Sequence, residues 1–242
     1  MTTDQSIQQG THDPDPNGAG PVDLLLADRE QLGETLDRFA AAFTALSGLL
    51  VAAPDAELVT RMRDAELLAD WPLPDEGDTR EGVELLRASA QADESVEVIR
   101  RDYNRLFFGP EPMIAPPYES VHRSQERLVF ERETMQVRAA YAEFDLAAPR
   151  LNREPDDHIA LELSFLSTLC VRAMDLLDAH DDASAARHLV AVRAFLAEHL
   201  LVWGPTCFEQ AVDGATTSFY RGVARLGRGT LAAARTAFLL VP

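Results

Sequence analysis

The stretch IALELSFLSTLCVRAMDLL, residues 159–177, decides the fold. It is apolar on nearly every side of a helix, and only Glu162, Arg172 and Asp175 interrupt it with charge. A helix that is hydrophobic all round has to be covered on every face, which puts it at the centre of a bundle. The preceding EPDDH, residues 154–158, offers a start signal. Pro155 suits the first helical turn, and Asp156 and Asp157 complement the positive end of the helix dipole. Glu162 is the odd charge in the run, and a carboxylate buried there requires a hydrogen bond or an arginine.

Outward from this centre, the chain reads as helix after helix. Residues 23–52 space Leu32, Leu36, Phe39, Phe43, Leu46 and Leu50 by three and four, which is one helical face. Pro54 opens a helix over 55–71 that WPLP, residues 71–74, closes. Residues 78–92 predict a shorter helix weakened by Gly82. Residues 93–108 predict a strong one, with Asp93 as cap, a stripe of Val96, Ile99, Tyr103, Leu106 and Phe107, and Gly109 just past its end. Further helices are expected over 133–146, 183–202 and 205–226, with a last one to 240. No alternating strand pattern and no internal repeat is present. The expected fold is an all-α, single-domain helical bundle of roughly eight to ten helices spanning residues 22–242.

Residues 1–21 lack apolar periodicity and read as a disordered acidic tail. They have no basic start and no apolar core, so they do not resemble a secretory signal. No run approaches 18 consecutive apolar residues, so no stable membrane insertion is expected, and the chain reads as cytoplasmic. The net charge is −18, and all 22 basic residues are arginine. That balance excludes the basic footprint of a nucleic-acid-binding protein and favours a cationic partner. The acidic, lysine-free composition also fits a salt-adapted, halophilic cytoplasm. Cys170 and Cys207 sit in apolar helical context without metal or redox spacing and read as buried thiols.

Little in the sequence points to catalytic chemistry. There is no glycine-rich phosphate loop, no nucleophile elbow and no HExxH. Asp157, His158, His180, Asp181 and His188 form the candidate metal set, which keeps a helical metal-dependent hydrolase as an alternative from another class. The leading expectation is a non-enzymatic protein with no cofactor.

One segment resists the helical reading. RLFFGPEPMIAPPYES, residues 105–120, holds four prolines between 110 and 117 and still carries Met113, Ile114 and Tyr118. Proline bars this stretch from a helix interior or a central strand. Either it is pinned onto the core or its apolar side chains serve a partner.

YNRLFFGP (103–110), APPYES (115–120) and EPDDH (154–158), in that order ahead of an apolar helix, resemble the TorD/DmsD family of redox-enzyme maturation chaperones. HLLVWGPTCFEQ at 199–210, followed by FYRGVARL at 219–226, is similar to that family's ending. The resemblance spans about residues 30–240. It implies an all-α chaperone that binds the twin-arginine signal peptide, and sometimes the body, of a molybdopterin oxidoreductase subunit such as a DMSO or TMAO reductase. Such a chaperone holds its client in the cytoplasm until the cofactor is inserted. A nitrate-reductase-type assembly chaperone is the near alternative, and the protein is expected as monomer or homodimer. By motif position, the implied signal-peptide residues are Tyr103, Leu106, Phe107, Pro116, Pro117, Tyr118, Glu119, Ser120, Asp157 and His158. The pattern departs from relatives at Tyr118, often tryptophan there, and at His122 and Glu131.

A helix bearing arginines calls for an apolar wall and nearby carboxylates. Met113, Ile114 and Tyr118 supply the expected wall, and Glu154, Asp156 and Asp157 the acidic end. Core packing also accounts for Tyr103, Leu106 and Phe107, which would then shape the site only indirectly, the helix dipole for Asp156 and Asp157, and a backbone contact for His158.

Overall fold

The computed structural model describes residues 20–109, 111–124, 132–149 and 155–240. Among the described residues every extended element is helical. In order these are α1 (Pro21–Leu26), α2 (Arg29–Leu50), α3 (Ala56–Met62), α4 (Ala65–Ala69), α5 (Gly77–Gln91), α6 (Val96–Phe107), α7 (Glu119–Arg123), α8 (Arg132–Ala142), α9 (Ile159–Asp178), α10 (Asp182–Phe195), α11 (Leu201–Gly214) and α12 (Ser218–Ala237). A π-helical turn, Leu196–Leu200, joins α10 to α11. The all-α expectation holds. The expected tail at 1–21 falls almost wholly outside the described residues, and its last residue, Pro21, already begins α1.

The stretch that decided the fold is the central helix. Leu163, Leu166, Leu169, Cys170 and Ala173 of α9 are all fully buried. α2 packs along one side of α9 and α10 along another. A second layer pairs α5 and α11 with α12. Gly82 matters there for a reason its low helix propensity hides. A Cβ at Gly82 would lie 2.9 Å from the carbonyl oxygen of Gly222, and one at Gly222 would lie 2.9 Å from that of Gly82. The two helix backbones touch at this crossing, and only glycine leaves room for it.

Several boundaries differ from the sequence reading, each for a specific structural reason. The run 23–52 is two helices because Asp28 caps α2, its carboxylate accepting from Gln31 N. The run 55–71 divides at Asp64, whose carboxylate accepts from Glu66 N and Leu67 N to start α4. α6 is capped by Ser95 rather than Asp93, which instead takes a left-handed φ of 49° in the preceding turn. α9 begins at Ile159, with His158 as its cap, rather than at Pro155. The segment 155–158 cannot join the helix because its backbone pairs with residues 117–119. Ile159 N donates to Pro117 O at 2.8 Å, and Glu119 N donates to Asp157 O at 3.0 Å. Pro205, expected to open a helix, lies inside α11. It has no N–H for the helical ladder, and the wider π turn just upstream lies where that ladder changes register. The true break comes at 215–217, where Thr217 caps α12 by accepting from Tyr220 N.

Candidate functional site

The three sequence motifs, up to 55 positions apart, converge on one face. The proline segment is pinned to the end of α6: Ala115 N donates to Leu106 O at 2.9 Å, and Ile114 N reaches Arg105 O at 3.4 Å. Further along, the carbonyl of Pro116 accepts from His122 Nε2 at 2.8 Å and faces the Cys207 thiol at 3.5 Å. Tyr118 and His158 then form an isolated antiparallel bridge, their rings edge to face with centroids 5.2 Å apart. The question raised by the proline stretch is therefore answered mainly by anchoring: Ala115, Pro116, Pro117, Glu119 and Ser120 are buried.

The remaining predicted site residues divide by exposure. Tyr103, Leu106 and Phe107 lie in the core. The Tyr103 hydroxyl donates to Leu50 O at 3.1 Å, and burial pushes it up to about 12. Asp157 is fully buried, with one carboxylate oxygen accepting from Ser120 N at 2.7 Å and the other from the Thr134 hydroxyl at 2.8 Å. Asp156, also fully buried, pairs with Arg138 at 2.6 Å. Both acids anchor neighbouring elements rather than serve the dipole of α9. Only Met113, Ile114, Tyr118 and His158 stay partly open, with Ile114 37% exposed. Glu154 and Glu131 lie outside the described residues.

Beneath this face is a buried polar group that the sequence only hinted at. Glu119, fully buried, pairs with Arg123 on one oxygen and with His199 Nδ1, 2.8 Å away, on the other. His199 stands in the π-helical turn. Glu162 Oε2 accepts from the Trp203 indole N–H at 3.2 Å, while Oε1 has no hydrogen-bond partner among the described residues. Burial, reinforced by the charges of Glu119 and Asp157, pushes the Glu162 carboxyl well above the usual carboxylate range, against the pull of Trp203 and Arg123. A histidine and a tryptophan at 199 and 203 share one helical face, and that spacing was the available signal.

A raised folded-state pKa makes the native state hold a proton that the unfolded chain has released. The resulting penalty is absent below the unfolded value, near 4.3, and grows as pH rises from there toward the folded value. Glu162→Gln keeps the shape and removes the penalty. It is expected to raise stability by about 1–3 kcal/mol at neutral pH, the usual cost of a buried polar group in poor company. The gain should fade toward pH 4, and denaturant unfolding at a series of pH values reads both trends. A gain that did not change with pH would remove Glu162 ionisation as its cause.

Metal chemistry gains no support from geometry. Among the described residues no three His, Cys, Asp or Glu side chains are grouped to hold a metal ion. His158 caps α9 through Nδ1, Asp181 caps α10, and His188 Nδ1 bonds to Ser184 O. Both cysteines are fully buried, and burial drives the Cys170 thiol up to about 12 and Cys207 also upward, so neither is a ready nucleophile. No helix among the described residues is long and apolar enough to cross a membrane.

A family model described as nitrate reductase delta subunit matches residues 74–209. The Tat proofreading chaperone DmsD of Salmonella typhi is 28% identical over 201 residues, covering 81% of this chain and 88% of that protein. The probable Tat proofreading chaperone DmsD of Haemophilus influenzae is 26% identical over 72% of this chain and 77% of its own length. The chaperone protein TorD of Aliivibrio fischeri is 27% identical over 60% and 66% respectively.

Proposed function

The chain belongs to the nitrate reductase delta subunit family, in its TorD/DmsD branch, and from that premise we propose that it is a maturation chaperone for a molybdoenzyme. In this reading it binds the twin-arginine signal peptide of a molybdopterin oxidoreductase subunit in the cytoplasm. It keeps that subunit back until its cofactor is inserted. The chain catalyses no reaction of its own in this role.

The observation that carries the reading is the convergence of three distant motifs onto one face, tied by Ala115–Leu106 and by the Tyr118–His158 bridge. Buried members of the motifs, Tyr103, Leu106, Phe107, Pro116, Pro117, Glu119, Ser120 and Asp157, act by holding that face in shape. Tyr118 and His158 on the bridge, and Ile114 and Met113 on the proline segment, are the side chains a peptide can touch. An aromatic ring and an imidazole, with aliphatic groups elsewhere on the segment, suit a peptide that is apolar with a polar edge.

The test is co-expression of the full chain with a molybdopterin oxidoreductase subunit that carries or lacks its leader. The subunit should co-purify only with the leader present, and replacing the two leader arginines by alanine should cut recovery at least tenfold. Equal recovery without the leader would overturn the signal-peptide reading. Retention of a nitrate reductase subunit in preference to a leader-bearing one would favour the nitrate-reductase alternative.

A further inference from the structure

A separate concavity of about 710 Å³ lies between α2 and the arm formed by α3, α4 and Trp71. Its floor is the outer face of α2, where Ala41, Thr44, Ala45 and Gly48 recur at helical spacing. These side chains are small enough to let another helix approach closely. Gly48 is not demanded by the fold, since a Cβ there would meet nothing within 4 Å. Leu58, Leu67, Trp71 and Val171 form the walls. Leu67 and Val171 are 39% and 42% exposed, so the walls keep apolar side chains in contact with water. The Trp71 indole N–H is buried without an acceptor among the described residues.

Charge and length narrow the occupant. Asp37 and Asp70 stand in the lining, with no ion pair to either among the described residues, and Arg61 is the one basic side chain there. A second copy of this chain would bring a further net charge of −18. Residues 1–19 are poorly suited too, with Asp4, Asp13 and Asp15 and no arginine. The partner that fits is an apolar helix with cationic side chains at one end. From Asp37 to Gly48 the floor runs about 16 Å at the rise of an α-helix, enough for some three turns of a guest helix.

The Gly48 end of the floor lies where α2 packs against the start of α9. Ser47, beside Gly48, donates its hydroxyl to Ala160 O at 2.8 Å, and Ala160 lies two residues beyond His158. We propose that this groove seats the apolar helix of the bound leader, with Asp37 and Asp70 taking its arginines. The inference rests on the signal-peptide reading and adds to it a location that none of the three sequence motifs contains.

Titration calorimetry on the full chain tests it, with a synthetic peptide of two arginines followed by a twelve-residue leucine–alanine segment. Gly48→Trp fills the floor from open space and is expected to weaken binding at least tenfold with the melting temperature unchanged. Leu67→Asp, a change at an exposed wall, should do the same by a second route. Asp37→Asn with Asp70→Asn should weaken binding several-fold, and should leave a glutamine-for-arginine version of the peptide unaffected. If the wild-type chain binds the peptide and both wall and floor variants bind equally well, the groove is overturned while the chaperone reading stands. A wild-type chain that ignores the peptide also overturns the groove, and leader-dependent co-purification then decides whether the chaperone reading falls with it.

Discussion

Asp102→Ala is expected to lower stability by about 3–5 kcal/mol, the range for removing one partner of a buried charged network. Asp102 lies on α6 with its side chain fully buried, yet it serves the far end of the chain. Its carboxylate accepts from Thr217 N at 2.8 Å, Thr216 N at 3.0 Å and both threonine hydroxyls, and it pairs with Arg105 at 3.0 Å. These are the donors exposed where α12 begins, and a helix start has no internal acceptors for them. Glu94 completes the arrangement by accepting from Ser218 N and Phe219 N. In urea the loss should appear as a midpoint lower by roughly 1–2 M. Hydrogen exchange should show the first turn of α12 losing protection ahead of α9. An unchanged midpoint would mean that other groups cap α12.

The same residue predicts an acid limit. Burial alone would raise the Asp102 carboxyl, but bonds from Thr217, Thr216 and Arg105 outweigh it and leave it below the usual value. A depressed folded pKa contributes stability that is complete above the unfolded value, near 3.9, and is lost as pH falls through the folded one. Part of the acid unfolding of this chain therefore belongs to Asp102.

What the sequence could reveal followed the range of the interaction responsible. Periodicity exposed α9, α2 and α6 because a buried helix face is a property of one segment. The break at Asp64 and the cap at Ser95 are local too, but competing signals masked them: an uninterrupted apolar pattern over 55–71, and an acidic residue at 93. Asp102 was hidden for a different reason. It reads as one polar position on the α6 surface, and its partners lie 114 and 115 residues away. Gly82 was legible as a poor helix former and illegible as a contact, because Gly222 supplies the other half. At the site, the motifs marked the right neighbourhood. They could not separate anchoring residues from accessible ones, since Asp157 is buried while the adjacent His158 is partly open. The α2 groove carries no motif, and its small-residue floor reads as an ordinary polar helix face.

Asp157 is where anchoring and contact can be separated by experiment. Its two oxygens hold Ser120 N, inside the first turn of α7, and the Thr134 hydroxyl of α8, so it joins the second motif to the third. Asp157→Ala leaves both donors buried without an acceptor and is expected to cost about 2–4 kcal/mol. As a signal-peptide residue implied by motif position, Asp157 would be expected on substitution to weaken binding in an intact fold; the burial of the carboxylate makes stability the first thing to fall. Asp157→Asn separates the two roles. The amide keeps an acceptor oxygen for one donor, so it should lose about half as much stability, and at a temperature well below melting it should bind the twin-arginine peptide within about twofold of wild type. Asparagine has no charge to offer a guanidinium, so direct pairing with a leader arginine would cost at least tenfold in affinity, as expected for a charge-assisted contact. Calorimetry at fixed salt distinguishes the two results. A tenfold loss in a stable Asn variant would mean that the face opens on binding to expose Asp157. Retained affinity would leave Tyr118 and His158 as the accessible side chains of the bridge, with Asp157 as the buried tie that sets it.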